Sequence, residues 1–274
     1  MNSEKQKGNR GAKKMLTSER RERIAKYVQE NGAAGVQELT KLFSASEATI
    51  RRDLAALAAA GKLNKVHGGA LLPAQEYLNR EDVVLVKMQN QYEEKLRIAS
   101  YAASLVRDDD YVFLDAGSTT LLMTRFLSGK KAVFLTNGIA QAGELAKVGC
   151  RAMILGGDLK ETTEAVIGSV AAAHLQKYNF SKAFIGTNGI SLRQGFTTTN
   201  TGEAVIKAIA AEHSFQTFVL ADHTKFGRVS AVGFAPLASA AVLCDYCPDE
   251  EIKKKTEVRE VDGHDLHDDA ESRA

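Results

Sequence analysis

The chain has 274 residues, of which 44% are hydrophobic and 26% charged, so it has room for one small and one larger globular domain. No apolar run approaches the ~18–20 residues of a membrane span, and the N-terminus lacks the apolar core of a signal peptide. These features exclude a membrane-spanning protein and predict a cytoplasmic one.

The overall net charge of +2 conceals an asymmetry along the chain. Residues 1–72 carry 14 basic and 7 acidic side chains, whereas the remaining residues have a net charge of −5. A basic N-terminal part on a mildly acidic body predicts that the N-terminal part binds a polyanion.

Two helices are predicted near the N-terminus. A polar, basic tail at residues 1–15 is expected to be disordered. Thr17 can cap a first helix that runs to about Asn31, and the apolar pattern of residues 36–43 predicts a short second helix.

A third helix follows after a tight turn at residues 44–46, where Ser44 and Ser46 are alternative N-caps. Residues 62–72 then have the pattern of a short basic hairpin. Three helices and a basic hairpin predict a winged helix-turn-helix domain over residues 16–72.

The third helix is predicted to have one buried and one basic face. Ile50, Leu54 and Leu57 recur at helical spacing. The opposite face suits the major groove of DNA, because Arg can bond guanine or clamp a phosphate, although this pattern alone is equally typical of an ordinary amphipathic helix. The residues predicted to contact DNA are Ser46, Ala48, Thr49, Arg51 and Arg52 on the helix, and Lys65 and His67 in the hairpin.

Fixed spacings across this domain carry a resemblance to a known family. The matching positions are Arg20, Ile24, Val28, Ser46, the run Thr49–Leu54 and the hairpin segment Val66–Ala70. They resemble the signature of the DeoR family of bacterial transcription regulators. The resemblance implies operator DNA as a partner, bound by at least a dimer if the operator is symmetric or repeated.

The pattern of the chain changes after the hairpin. Residues 73–91 lack lasting periodicity and are predicted to be a linker. From Tyr92 onward helices alternate with short apolar strands, which predicts an α/β domain with a largely parallel sheet over residues 92–248. Residues 249–274 are charged and poor in apolar side chains, so a solvated polar tail is expected.

The predicted strands all end in polar or glycine-rich residues, at the edge where parallel sheets bind ligands. In the loop Asp115–Thr120, Gly117 permits close backbone approach, and hydroxyls stand with N–H groups at a helix start, as in phosphate sites. This loop alone is also typical of an ordinary strand-to-helix turn. Five polar strand ends that converge by topology favour a ligand site.

The resemblance to the DeoR family extends over about residues 16–245. It implies that the second domain is a Rossmann-like sensor of sugar phosphates, similar to ribose-5-phosphate isomerase and glucosamine-6-phosphate deaminase, and it implies no cofactor. Its lysines suit a phosphate, and its acidic and amide side chains suit sugar hydroxyls. The effector-binding residues that the resemblance implies are Lys95, Asp115, Gly117, Ser118, Thr119, Thr120, Asn137, Gly157, Asn188, Glu203, Lys207, Asp222 and Lys225.

Structural alternatives remain for part of this set. Asp222 and Lys225 have the spacing of a pair that fixes a turn, and Glu203 with Lys207 has that of an i,i+4 pair on a helix.

An enzymatic alternative follows from the same resemblance. The isomerase carries an acidic cluster where this chain has Ala183–Gly189, a segment without a carboxylate. The group that would move a proton is therefore missing, and no catalytic residue is predicted. Cys244 and Cys247 form a lone C-x-x-C that is better explained as a strand end than as a redox pair, and no metal site is predicted.

The effector can be narrowed only by resemblance. The stretches most similar to the fructose-operon repressor branch of the family are Leu114–Leu121, Phe184–Gly189, Gly195–Thr198 and Ala221–Gly227. They imply a repressor of a sugar-utilisation operon that responds to fructose 1-phosphate. Asp222–Lys225 and Thr162–Ala165 are also similar to lactose-operon repressors that sense tagatose 6-phosphate, so the identity of the sugar phosphate stays open. The direction of the response and the choice between dimer and tetramer stay open as well.

Overall fold

The structure of the protein is a computed structural model. The residues that it describes are 16–31, 33–60, 62–66, 68–71, 76–78 and 84–261. It divides the chain into two units, Met1–Gln75 and Glu76–Ala274. Within the described ranges, no helix is both long and apolar enough to cross a membrane.

The described residues of the first unit form three helices and a small antiparallel sheet with the strand order β1–β3–β2. Its elements are α1 (Thr17–Asn31), β1 (Ala33–Gly35), α2 (Val36–Phe43), α3 (Glu47–Ala59), β2 (Asn64–Val66) and β3 (Gly69–Leu71). The apolar faces of the helices meet in a core where Ile24, Leu39, Ile50 and Leu54 are fully buried. The predicted winged helix-turn-helix is confirmed.

Two serines shape the turn between α2 and α3. Ser46 is the N-cap of α3, and its side chain accepts a hydrogen bond from the backbone N–H of Thr49 at 3.3 Å. Ser44 instead terminates α2 in the left-handed conformation, with φ at 49°. Of the two predicted caps, Ser46 is therefore the one that the structure uses.

The second unit contains a central sheet with helices on both faces. Its elements in chain order are β4 (Glu76–Leu78), α4 (Val84–Gln89), α5 (Tyr92–Ser104), β5 (Tyr111–Leu114), α6 (Ser118–Met123), β6 (Val133–Thr136), α7 (Ile139–Lys147), β7 (Arg151–Ile154), β8 (Asp158–Lys160), β9 (Ala165–Ile167), α8 (Gly168–Leu175), β10 (Phe180–Gly186), β11 (Gly189–Ser191), β12 (Gly195–Thr198), α9 (Thr201–Glu212), β13 (Ser214–Leu220), β14 (Arg228–Ser230), β15 (Val232–Ala235), β16 (Ala241–Cys244), α10 (Glu250–Lys253) and β17 (Val258–Glu260). Short 3₁₀ turns occupy Thr124–Phe126, His223–Lys225 and Leu237–Ser239.

Seven parallel strands form the central sheet in the order β17–β16–β13–β10–β5–β6–β7. Successive residues of a strand point to opposite faces of the sheet and belong to two separate cores, as Phe113 and Leu114 do. The core around Phe113 includes Ile206 of α9, and the core around Leu114 includes Ile98 of α5. The helices α5 and α9 therefore cover opposite faces of the sheet, and the predicted parallel α/β fold is confirmed.

The structure changes the boundaries expected at both ends of this unit. The predicted polar tail was wrong for residues 249–261, because β17 pairs with β16 in the central sheet. Ile252 and Val261 are almost fully buried there. Two apolar side chains in a charged segment were too few to predict from the sequence that the segment is ordered. At the other end, the region predicted as a linker contributes β4, which pairs in parallel with β14, and α4.

Candidate functional site

The exposed face of α3 is small and basic. Arg51 and Arg52 are exposed near Ala48, while Ile50 and Leu54 are buried on the opposite face. Arg51 Nη2 lies 3.4 Å from Glu47 Oε2, but a surface pair of this kind contributes only ~0.3–0.5 kcal/mol. Its guanidinium group can exchange that contact for a phosphate or a base at little cost.

The remaining predicted DNA contacts lie at the start of α3 and in the hairpin. The hydroxyl groups of Ser46 and Thr49 are 2.9 Å apart and bond to each other at the N-terminus of the helix. Lys65 is exposed in β2, whereas His67 lies outside the described residues. Ser46, Thr49 and the two arginines thus share the first turns of one helix.

A buried carboxylate joins α1 to α3, a contact that the sequence did not reveal. Asp53 is 1% exposed, and its two oxygens accept hydrogen bonds from Arg20 Nε at 2.7 Å and Arg21 Nε at 2.9 Å. Arg20 and Asp53 belong to the family signature noted above. The pairing fixes α3 against α1, and it thereby positions the basic face of α3.

The second unit has a cavity of about 490 Å³ at the carboxyl ends of β5, β6, β10 and β13. Its size is typical of a site for a small molecule. The helices α5 and α9 and the β8–β9 hairpin contribute further side chains. The predicted residues that the structure brings together in this cavity are Lys95, Asp115, Gly117, Ser118, Thr119, Asn137, Asn188, Glu203, Lys207, Asp222 and Lys225.

Asp115 connects three parts of the cavity wall and is 1% exposed. Its Oδ1 accepts hydrogen bonds from Gly117 N and Thr120 Oγ1, both at 3.0 Å. Its Oδ2 accepts one from Gly186 N at 2.8 Å and pairs with the ammonium group of Lys207. Asp115 and Lys207 therefore neutralise each other, which leaves Lys207 less suited to a ligand phosphate than the sequence implied.

Glu203 lies in the first turn of α9 and is 6% exposed. Its Oε1 accepts hydrogen bonds from Lys160 Nζ at 2.9 Å and Thr163 Oγ1 at 2.6 Å, and its Oε2 accepts one from Thr198 Oγ1 at 3.4 Å. The alternative of an i,i+4 pair with Lys207 was wrong, since both members have buried partners elsewhere.

A cluster of cations surrounds Asp222 at the end of β13. Lys225 Nζ lies 3.3 Å from Asp222 Oδ2, as the turn-fixing alternative predicted. Lys95 is 3% exposed and donates to the carbonyl of Lys87; its burial, partly offset by Asp222, lowers its pKa to about 8. Burial opposes ionisation of Asp222, but Lys225, Thr224 and Lys95 together hold the pKa of its carboxyl below the ordinary value.

Asn137, which follows β6, is 3% exposed and lines the cavity. Its Nδ2 donates to the carbonyl of Val166 at 3.2 Å. Its Oδ1 is buried and has no hydrogen-bond partner among the described residues. A buried acceptor without a partner costs ~1–3 kcal/mol, so a ligand that donates a hydrogen bond here would recover that energy.

Two residues implied by the resemblance do not line the cavity. Thr120 is fully buried, and its hydroxyl bonds to Asp115. Gly157 has φ at 154°, and a side chain there would come within 2.6 Å of the carbonyl oxygen of Ile167. The structure thus gives both residues a supporting role in place of the effector contact that the resemblance implied.

The cavity is also lined by polar residues that the sequence analysis did not predict: Lys87, Gln89, Asn90, Gln91, Thr163, Thr187, Thr224 and Arg228. Thr224 lies between two predicted residues and within a stretch that carries the family resemblance, and these were the signals that could have identified it. Among the described residues that line the cavity, five charged side chains are cationic and three are carboxylates. The excess of positive charge suits an anionic ligand.

The two free cysteines of the C-x-x-C motif do not line this cavity. Cys244 and Cys247 are both buried, and burial raises the pKa of each thiol. The nucleophilic thiolate is therefore disfavoured, which argues against the redox alternative. Across the described ranges, no cluster of His, Cys, Asp and Glu could hold a metal ion.

Comparison with known proteins identifies similar chains. Residues 20–76 match the DeoR-like helix-turn-helix domain, and residues 90–245 match the DeoR C terminal sensor domain. A Bacillus subtilis (strain 168) protein named "Uncharacterized HTH-type transcriptional regulator FruR" is 39% identical over 84% of this chain and 91% of its own. The "Lactose phosphotransferase system repressor" of Staphylococcus aureus (strain NCTC 8325 / PS 47) is 32% identical over 90% of this chain and all of its own.

These relatives are named as regulators and not as enzymes, in agreement with the prediction that this chain is not an enzyme. Among solved structures, ribose 5-phosphate isomerase A from Methanocaldococcus jannaschii is 17% identical, with 50% of this chain and 55% of that chain aligned. The TM-score of 0.39 is too low for that similarity to bear on function.

Proposed function

The chain belongs to the DeoR family of transcriptional regulators, and from that premise we propose that it represses a sugar-utilisation operon under the control of a sugar phosphate. The observation that carries the proposal is the cationic cavity of the second unit, present in the same chain as an exposed basic recognition helix. The DNA and the effector are thus assigned to different units.

The proposed operator contacts are the exposed side chains of α3, supported by Lys65 of β2 and by His67. Arg51 and Arg52 supply the bidentate or phosphate contacts, and Ser46 and Thr49 lie at the helix end that attracts phosphate. A symmetric or repeated operator requires two such helices, so we propose a homodimer or tetramer that acts in the cytoplasm.

The proposed effector is a monophosphorylated sugar. The buried Lys95 and the partly exposed Lys225 supply the cationic groups that suit the phosphate, and Ser118 and Thr119 supply hydroxyls in the same cavity. The acceptor oxygen of Asn137 suits a sugar hydroxyl, because it has no partner within the described ranges. A ligand with both a phosphate and hydroxyl groups would satisfy both kinds of side chain.

Fructose 1-phosphate is our first choice of effector, and tagatose 6-phosphate is the second. The sequence stretches most similar to the fructose-operon branch include Leu114–Leu121, of which residues 115–119 line the cavity. The 32% identity to a lactose phosphotransferase system repressor supports the second choice. Both compounds are ketohexose monophosphates, and each carries the one phosphate and the several hydroxyl groups that the cavity suits.

A thermal-shift screen with the full chain tests the effector class. A ligand at 100 times its Kd adds ~2.7 kcal/mol to the free energy of unfolding, which raises the Tm of a unit of this size by ~5–10 °C. The operator is obtained by selection of random DNA on the full chain, and its affinity is then measured with and without each ligand. Ligand binding that leaves operator affinity unchanged would refute the proposed control, and the absence of binding by any sugar phosphate would refute the effector class.

A further inference from the structure

The two ends of the cavity have opposite hydrogen-bonding chemistry. Lys95 comes from α5, and Glu203 comes from α9, so they reach the cavity from opposite faces of the sheet. The end near Lys95 contains two further cations, Lys87 and Lys225, together with the carboxylate of Asp222. We call it the lysine end, and we call the other end, formed by Glu203, Asn137 and Thr163, the acceptor end.

Hydrogen bonds within the acceptor end leave acceptor capacity unused. Oε1 of Glu203 already accepts from Lys160 and Thr163, whereas among the described residues Oε2 accepts only from Thr198, at the long distance of 3.4 Å. A carboxylate oxygen can take about two hydrogen bonds, so Oε2 has room for another donor. The buried Oδ1 of Asn137 has no partner within the described residues.

Asn137 and Glu203 belong to the same end because the β8–β9 hairpin contacts both. Asn137 donates to the carbonyl of Val166 in β9, and the same hairpin provides Lys160 and Thr163 to Glu203. Sugar hydroxyls can donate to both free acceptors. A phosphate dianion has no proton to donate, and its charge repels the buried carboxylate of Glu203.

Lys160 does not change this conclusion. It pairs with Glu203 at 2.9 Å, and the side chains of the two residues are 14% and 8% exposed. A phosphate at this end would bring two further negative charges close to Lys160, whose positive charge is already balanced by Glu203. The desolvated carboxylate would then lack sufficient compensation.

We infer that Glu203 makes the cavity select ligands with one phosphate, which binds at the lysine end, and reject ligands with a second phosphate at the acceptor end. The inference rests on the proposed function, because it specifies which sugar phosphates the effector site accepts. Like charges brought together in an interface cost enough to weaken binding on the order of 100-fold, and we expect this discrimination against a bisphosphate.

The test measures binding to the full chain by calorimetry with fructose 1-phosphate, tagatose 6-phosphate and fructose 1,6-bisphosphate. For the wild-type protein, at least one monophosphate should bind on the order of 100-fold more tightly than the bisphosphate. The substitution Glu203→Gln preserves the size of the side chain and removes its charge. It should reduce this preference at least ~10-fold, chiefly through tighter binding of the bisphosphate.

Glu212→Gln is the matched control, since Glu212 is exposed at the other end of α9 and should leave the preference unchanged. Equal wild-type affinities for mono- and bisphosphate would overturn the inference while leaving the proposed function intact. An unchanged preference in a folded Glu203→Gln variant would do the same. If none of the three compounds binds, this inference fails together with the proposed effector. The wild-type ratio tests the inference even if the variant does not fold.

Discussion

Replacement of Asp115 by Asn should destabilise the second unit before any ligand is added. Four donors converge on this carboxylate, among them the buried ammonium group of Lys207. An Asn amide would keep one acceptor oxygen, but its NH₂ group would face a donor, and Lys207 would be left as an uncompensated charge. Removal of one partner from a buried ion pair typically costs ~3–5 kcal/mol.

The expected effect on thermal stability follows from the size of the unit. One kcal/mol shifts the Tm of a domain of ~150–250 residues by ~2–4 °C, so Asp115→Asn should lower the Tm by on the order of 10 °C. Calorimetry of the full chain measures this shift, with Asp109→Asn as the control because Asp109 is exposed in the same unit. The second substitution Lys207→Met in the Asp115→Asn background should restore part of the loss, since it removes the unpaired charge.

A Tm within ~2 °C of the wild-type value would refute this reasoning, because it would mean that the ion pair contributes little. Failure of Lys207→Met to restore stability would place the loss in the backbone hydrogen bonds to Gly117 and Gly186 instead. A stable variant that no longer binds the effector would show that Asp115 acts mainly as a ligand contact.

Three further perturbations test separate parts of the structure. Arg51→Ala and Arg52→Ala should each weaken operator binding in a fluorescence titration. If the arginine contacts a base, its loss should cost ~1–3 kcal/mol and relax the sequence specificity; if it contacts a phosphate, binding to all DNA sequences should weaken alike and the salt dependence of the affinity should decrease. Binding of the effector at pH 8.5 should be accompanied by the uptake of at most ~0.8 proton, because a phosphate dianion raises the depressed pKa of Lys95; calorimetry in buffers of different ionisation enthalpy measures this uptake. Asp53→Ala should destabilise the first unit by ~2–3 kcal/mol in urea unfolding, since Arg20 loses a buried partner while the more exposed Arg21 can turn to water.

For each of these three predictions, one outcome would contradict it. Arg151→Ala, in the second unit, is the control for operator binding, and wild-type affinity in both α3 variants would exclude α3 as the reading helix. Proton uptake that persists in Lys95→Met would assign the uptake to another group. An unchanged urea midpoint in Asp53→Ala would mean that its arginine pairs do not stabilise the first unit.

The sequence predicted the elements whose apolar side chains repeat regularly. The spacing of Ile50, Leu54 and Leu57 predicted the buried face of α3, and the alternation of helices with short apolar strands predicted the parallel sheet, whose strands include the apolar runs Tyr111–Leu114 and Val133–Thr136. Periodicity works here because burial imposes it. The strand β17 has no such pattern, and its order comes from hydrogen bonds to β16.

Pairing between distant residues accounts for most of what the sequence could not show. Lys160 and Glu203 were both visible as charged residues, but 43 positions separate them along the chain. Only the folded hairpin brings them together. The i,i+4 spacing of Glu203 and Lys207 suggested a local pair, but tertiary partners of opposite charge offer both side chains a buried environment.

The connections of Asp115 also determine when during folding the cavity can form. Its partners Gly186 and Lys207 follow it by 71 and 92 residues, and β10 must insert beside β5 before either contact exists. Contacts of such long range close late, because the intervening chain loses much entropy when they form. A nascent chain that has emerged only as far as β9 therefore contains the complete first unit but no working cavity. The proposed sensitivity to a sugar phosphate would therefore be one of the last properties that this chain acquires as it folds.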